Sequence, residues 1–407
     1  MTTLSAKVMP IPTDTLTVII HSSMAKNLGI GRGERVKIQG TKSASIALAN
    51  ISSTLVAMDQ IAIDSTLAQE IGVTEGQNVT VSYSQPPISS QSIRALLAGK
   101  SLDKEMYYAI IEDLVSRRLT DVELTSFVIA QLFRKLPMEE IEYLARAMAD
   151  AGDKIDFERT VYDKHSIGGV PGNKVSLIVV PIIAAAGLLI PKTSSRSVTS
   201  PSGTADTMEV LAPVELEPAE FKKAAMRAGG ALVWGGKLGI SPADDVLIGK
   251  VEHPLSIDPI SQLLASVMSK KLAVGVNYLV VDLPVGRGTK LPSEEAALEL
   301  ANDFMEIGRR LGIVVTCGMT YGSQPVGHSV GPALEAREAL DALSGGGPVS
   351  LREKSTALAG LLLESSGQAP RGGGKDLATK VLESGKALQK MREISEAQGG
   401  SPSIRPE

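Results

Sequence analysis

The sequence predicts an α/β multidomain protein: an N-terminal β-barrel, a small helical domain and a large α/β domain with a mixed sheet. Three observations carry this expectation. The first 84 residues contain a duplicated unit, residues 88–153 carry helical periodicity, and from Lys154 onward strand-like and helical segments alternate. The domains are accordingly placed at 1–84, 88–153 and 154–407.

The duplication aligns without gaps. IHSSMAKNLGIGRGERVKI, from Ile20 to Ile38, matches IDSTLAQEIGVTEGQNVTV, from Ile63 to Val81, at Ile20/Ile63, Ser22/Ser65, Ala25/Ala68, Gly29/Gly72, Gly33/Gly76 and Val36/Val79. Each copy predicts a strand end, a Ser-capped helical turn, a glycine turn and a strand of alternating apolar residues. A duplicated unit of this kind resembles the pseudo-twofold double-psi β-barrels. The GxGxG at Gly29 to Gly33 is a weak nucleotide signal. Because Gly29 recurs at Gly72 and Gly33 at Gly76, turn geometry explains these glycines better.

Ser84-Gln85-Pro86-Pro87 reads as a linker. In the helical domain Tyr107, Ile110, Ile111 and Leu114 fall on one face. Thr120 with Glu123 reads as a capping box, and Met138 opens a further helix after Pro137. In the third domain the expected strands are Leu189–Lys192, Leu232–Val233, Tyr278–Asp282 and Ile313–Cys317. Helical patterns cover Asn173–Ala186, Glu220–Ala228, Pro259–Leu272, Ser293–Leu311, Leu334–Ser344, Leu351–Ser366 and Ala378–Ala397, the last carrying Gly385 in its middle.

Composition excludes several classes. A net charge of −4 and 3% aromatic residues argue against a nucleic-acid binder, which needs a basic excess or stacking platforms. The single Cys317 allows no intramolecular disulfide and points to a reducing compartment. The N-terminus lacks the apolar core of a signal peptide. The apolar run Val175–Pro191, interrupted by Ser176, Pro181 and Gly187, suits a buried helix rather than a membrane span. A cytoplasmic protein with no membrane partner is expected.

The chain is organised around Lys164 to Asp206, which holds two small-residue loops flanking one apolar segment. Such loops, feeding helix N-termini, present backbone N–H groups to anions. In the first, Lys164 supplies a charge, Ser166 and Ser176 supply hydroxyls, and Gly168 and Gly169 allow close backbone approach. In the second, Ser194, Ser195, Arg196, Thr199, Ser200 and Thr204 are donors. The bland alternative is an ordinary Ser/Thr loop with caps. Two such loops, each with a cation, favour phosphate binding. GVPGNK is not a P-loop, no Cys/His set has zinc spacing, and no GxSxG accompanies His165, so no metal or cofactor is expected and His165 reads as a loop-orienting residue. Asp258 precedes Pro259 and on spacing alone reads as a helix cap. Ser266 and Lys270 share a helix face. Lys290 follows a strand end, and alone reads as a solvated loop lysine.

At KHSIGGVPGN, TSSRSVTSPSGTAD, PLSIDP and LASVMSKKLA the sequence resembles the thymidine phosphorylase family, and the proline-containing first loop, the SRSVTS loop and the added barrel look like its archaeal AMP phosphorylase branch. The resemblance implies phosphorolysis of nucleoside 5′-monophosphates: AMP and phosphate give adenine and ribose 1,5-bisphosphate, with CMP and UMP as further substrates. By the family pattern Lys164, Ser166, Ser176, Ser194 and Thr204 match the inorganic-phosphate site. Gly168, Ser195, Arg196, Ser197, Val198, Thr199, Ser200, Thr204, Ser266 and Lys290 match nucleotide contacts, and Asp258 matches the acid that protonates the leaving base. The resemblance also implies a homodimer assembling into a larger homo-oligomer, and a β-rich lobe following the point where this sequence stops, so that a truncated chain is expected. Three rivals remain at this stage: a pyrimidine nucleoside phosphorylase, a phosphoribosyltransferase of the anthranilate type with Asp206 and Asp244-Asp245 as metal candidates, and a non-catalytic assembly subunit.

Overall fold

Two compact units, Met1–Ala130 and Gln131–Glu407, make up the chain. The computed structural model describes every residue except 14, 198–201 and 404–407.

The first unit begins with strands β1 (Thr2–Met9), β2 (Thr17–His21), β3 (Arg35–Gln39), β4 (Ala44–Ser52), β5 (Gln60–Asp64) and β6 (Asn78–Tyr83), closed in the order β1-β5-β2-β4-β3-β6. Closure removes every open sheet edge. The sequence repeat is visible as two strand–helix–strand units, with α1 (Ser22–Leu28) between β2 and β3, and α2 (Ser65–Ile71) between β5 and β6. Both helices end on a left-handed glycine, Gly29 and Gly72, at φ 66° and 69°. The expected serine caps lie one residue further back. His21 Nδ1 accepts from the Ser23 N–H and the Asp64 carboxylate accepts from the Leu67 N–H, so Ser22 and Ser65 are the first helical residues. Val18, Ile20, Ile38, Ile61, Ile63 and Val81 fill the barrel. Helices α3 (Ile88–Leu97) and α4 (Lys104–Val115) follow, then α5 (Asp121–Phe133) crosses into the second unit. The capping box at its start forms as expected: the Thr120 N–H donates to Glu123 at 2.8 Å, and the Glu123 N–H donates back to the Thr120 hydroxyl at 3.2 Å.

The second unit carries α6 (Met138–Asp150) and then β7 (Val161–Ser166), α7 (Ser176–Ala185), β8 (Ile190–Ser194), α8 (Thr204–Glu209), α9 (Pro218–Ala228), β9 (Gly230–Trp234), α10 (Pro242–Leu247), α11 (His253–Leu255), α12 (Ile260–Ala273), β10 (Val276–Val285), α13 (Glu294–Leu311) and β11 (Val314–Tyr321). One ladder runs β11-β10-β7 and another β8-β9, joined by a bridge between Val161 and Leu189. All of these pairings among the described residues are parallel, where the alternation had allowed a mixed sheet; helical crossovers return each strand in the same sense. The C-terminal ends of β7, β8, β9, β10 and β11 therefore share one edge of the sheet, which is where open α/β sheets place their ligands.

Helix α7 is buried from Ser176 to Ala184. It packs against α15 (Val349–Ser365) and α17 (Lys386–Ala397), which explains the long apolar run without a membrane. No helix among the described residues is long and apolar enough to cross one. The expected helix over Ala378–Ala397 is two, α16 (Gly374–Glu383) and α17, because Gly385 adopts φ 77° between them. Helix α14 (Pro332–Leu343) completes the set.

Candidate active site

The β7 end is a buried, cation-rich layer. Lys164, Lys192 and Lys271 are all at least 96% buried, and Lys354 of α15 joins them with a side chain 9% exposed. Two carboxylates answer these four ammonium groups. Asp163 takes Lys271 at 2.6 Å and stands 3.9 Å from Lys192. Asp282, fully buried on β10, accepts from the Ser166 and Thr320 hydroxyls and lies 3.0 Å from Lys354, an ion pair whose geometry falls short of a hydrogen bond. Burial pushes the Lys164 ammonium down to about 8 against the pull of Asp282, and Lys192 down to about 7 against that of Asp163. Burial and then Lys271, Lys192, Lys270 and Lys164 hold His165 well below the usual imidazole value, so its ring is neutral. Asp282 is held below the carboxylate range: burial opposes this, but Lys354 and Lys164 prevail. An excess of buried lysines over carboxylates is costly unless an anion completes it.

Past Ser166 the chain turns on Gly168 and Gly169, at φ 89° and 84°. A Cβ on Gly169 would stand 3.4 Å from the Lys290 backbone nitrogen, so the glycine lets this loop pass beside the loop after β10. The Ser166 hydroxyl donates to Asp282 and accepts from Asn173 Nδ2 at 2.8 Å. Ser176, 4% exposed, opens α7.

The second loop leaves β8 at Ser194, whose Oγ is buried without a hydrogen-bond partner among the described residues. It returns against its own start. A Cβ on Gly203 would fall 2.5 Å from the Arg196 carbonyl carbon, and the Ala205 N–H donates to the Ser195 carbonyl at 3.4 Å. This brings Ser194 and Ser195 to Thr204, the first residue of α8. Asp206 closes the loop from below, accepting from the Ser197 N–H at 2.7 Å and the Gly203 N–H at 2.9 Å. Arg196 is engaged by carboxylates. Its guanidinium holds Glu209 bidentately at 2.7 and 2.8 Å, Glu215 at 2.7 Å and Asp206 at 3.2 Å, and sits over the Trp234 ring. Val198, Thr199 and Ser200 lie outside the described residues.

The third group forms where α10, α12 and the loop after β10 converge. Lys290 donates to the Asp258 carboxylate, so Asp258 is not the helix cap its spacing suggested; Pro259 stands at that position with no side-chain cap. Lys270, four residues beyond Ser266 on α12, pairs at 2.5 Å with the fully buried Asp244. Burial works against the Lys270 charge, but Asp244 holds it above the usual lysine value. This pairing gives Asp244 a role without a metal. Between α10 and α11 the backbone makes a π-turn, Ile248–Glu252. Burial first, then Asp244 and Asp258, push the Glu252 carboxyl up to about 8.

The structure thus gathers Lys164, Ser166, Gly168, Ser176 and Ser194 at adjoining strand ends, carries Lys290 to Gly169, and ties Asp258 to Lys290. Sequence reasoning missed the roles of Asp163, Lys192, Asp282 and Lys354. Asp282 interrupts the apolar run of residues 279–285 and Asp163 follows Val161 and Tyr162 on a buried strand, and a charged residue in such a setting is the signal that could have found them.

A family model described as "Glycosyl transferase family, a/b domain" matches residues 158–388, and its helical bundle domain matches residues 90–152. The chain is 48% identical over 401 residues to AMP phosphorylase 1 of Archaeoglobus fulgidus, covering 98% of this chain and 79% of that protein. It is 50% identical over 396 residues to the AMP phosphorylase of Thermococcus kodakarensis, covering 96% and 78%. Among solved structures, anthranilate phosphoribosyltransferase from Thermus thermophilus superposes with a TM-score of 0.64 at 20% identity, over 76% of this chain and 99% of that one, a likeness of fold alone.

Proposed function

The chain belongs to the glycosyl transferase family that joins a helical bundle to an α/β domain, in its AMP phosphorylase branch, and we propose that it splits AMP with inorganic phosphate into adenine and ribose 1,5-bisphosphate. One observation carries the reading to the chemistry: the buried lysine excess at the strand ends, which an anion would complete.

In this reaction a phosphate oxygen forms a bond to C1′ while the C1′–N bond breaks and its electron pair leaves with the base. Lys164, Ser176, Ser194 and Thr204 hold the attacking phosphate. The Ser194 hydroxyl, without a partner among the described residues, is a donor it finds unspent, and the Lys164 ammonium adds charge. Ser166 serves through Asp282 and Asn173, because its hydroxyl is already engaged with both. The loop from Ser195 to Ser200, with Gly168, Ser266 and Lys290, receives the nucleotide. Arg196 braces that loop from behind. Asp258 protonates the leaving base, which removes the negative charge that cleavage builds there. Lys290 therefore faces both the nucleotide and the acid.

CMP and UMP enter the same site, since the proposed contacts read phosphate and sugar rather than the base. The deciding experiment measures phosphate-dependent release of free base from AMP, CMP and UMP beside adenosine, cytidine and uridine. Monophosphates should be turned over well ahead of their nucleosides. Preference for uridine or cytidine would overturn the reading in favour of a nucleoside phosphorylase, and release that needs pyrophosphate and Mg²⁺ would favour a phosphoribosyltransferase.

A further inference from the structure

Protonating a departing base requires an acid that still holds its proton near neutral pH. The Asp258 carboxylate accepts from the Lys290 ammonium, an arrangement that makes it an acceptor. A second carboxyl, that of Glu252, feels the Asp258 charge. The Glu252 carbonyl accepts from the Ile257 N–H at 3.1 Å, so the chain folds back and returns Asp258 to the neighbourhood of Glu252. Ser256 makes that return possible at φ 52°, a left-handed conformation unusual for serine. Glu252 itself closes a π-turn, an irregularity that recurs at functional sites. Its Oε1 is buried without a hydrogen-bond partner among the described residues.

We propose that Glu252 stores the proton that departs on the nucleobase and passes it through Asp258. This rests on the phosphorolysis reading above. When the nucleotide draws Lys290 away, the Glu252 O–H proton moves to the Asp258 carboxylate, and from Asp258 to the ring nitrogen that receives the C1′–N electron pair. Glu252 is left as a carboxylate with Lys270 as its counter-charge, and regains its proton from water after the products leave. The charged groups that act on it are Asp244 of α10, Asp258, Lys270 of α12 and Lys290. Burial and the carboxylates of Asp244 and Asp258 outweigh the two lysines and keep Glu252 neutral up to about pH 8. Glu252 is a positioning and proton-storing residue in this scheme, and Asp258 remains the group that touches the base.

The test compares two substrates on the full chain: AMP, and 4-nitrophenyl riboside 5-phosphate, whose leaving group departs as a stable anion and needs no proton. Glu252→Gln keeps the shape of the side chain and cannot give up a proton. It should lower kcat on AMP by about 100-fold, the scale of general acid catalysis, with KM within about twofold. Turnover of the nitrophenyl substrate should stay within about threefold of wild type, and Asp258→Asn should show the same split. An equal loss on both substrates would mean a structural role, and an unchanged kcat on AMP would mean no role; either overturns the inference. Wild-type chain that releases no adenine from AMP instead sinks the phosphorolysis reading, and this inference with it.

Discussion

Lys290 and Asp258 form an ion pair in which each side chain is about one-third exposed, at 33% and 31%. An exposed pair of this kind adds little to stability, on the order of 0–1 kcal/mol. Its consequence is positional. It holds the loop after β10 against the entry to α12, so a nucleotide that draws Lys290 away also frees the proposed acid.

Lys290→Met should therefore raise KM for AMP by about tenfold or more while shifting the melting transition by no more than the pair itself is worth. Steady-state kinetics beside a thermal melt separate these quantities. An unchanged KM would remove Lys290 from the nucleotide site.

Arg196 was expected among the nucleotide contacts, and its engagement by three carboxylates changes what its removal should do. Its three carboxylate partners and Trp234 fix the point from which the Ser195–Ser200 segment departs. Arg196→Gln should weaken AMP and leave KM for phosphate within about twofold. Gly203→Ala should do the same, because its Cβ would meet the Arg196 carbonyl carbon at 2.5 Å and force the loop open. If Arg196→Gln alone weakened AMP and Gly203→Ala did not, a direct contact to the 5′-phosphate would explain Arg196 better than bracing.

The depressed lysines make two opposite pH trends. Folded Lys164 and Lys192 release their protons near 8 and 7, while in the unfolded chain they hold them up to 10.5. Between about pH 8 and 10 the unfolded state binds more protons, so the stability of the chain without phosphate should rise across that window. Glu252, raised to about 8, works the other way only below that value. Phosphate affinity should fall over the same rise, because the cations that attract it are lost while phosphate is already a dianion. Thermal melts with and without phosphate at about pH 7 and about pH 9.5 check both trends. A phosphate-induced stabilisation that is larger at the higher pH would exclude the lysine layer as its seat.

How much of this was legible depended on whether a residue's partner was local. Gly29, Gly72, Thr120 and Glu123 act within a few positions of themselves, and their turns and cap were readable from spacing. The serine caps were misplaced by one residue because His21 and Asp64 also terminate strands, which hid them as cap acceptors. Lys164, Ser176 and Ser194 stood out because glycine- and serine-rich loops mark them. Asp163, Lys192, Asp282 and Lys354 acquire meaning only when β7, β8, β10 and α15 meet, from opposite ends of the second unit's sequence, and no local pattern encodes that. Arg196 shows the converse limit. Its charge was plain, but whether it faces an anion or Glu209 and Glu215 is decided by the fold of α8 and the segment after it.

Ser194 offers the sharpest separation of architecture from chemistry. Its Oγ is buried at the end of β8 and satisfied by no group among the described residues. A buried hydroxyl with no partner costs stability, so a purely structural account gives it nothing to contribute. Ser194→Ala should leave the melting transition unchanged or raise it slightly, by up to about 1 kcal/mol of stability. The same change should raise KM for phosphate by about tenfold, the loss of one hydrogen bond to a charged group, with KM for AMP little altered. Destabilisation by Ser194→Ala with normal phosphate kinetics would place the hydroxyl in the scaffold and move the phosphate away from the β8 end.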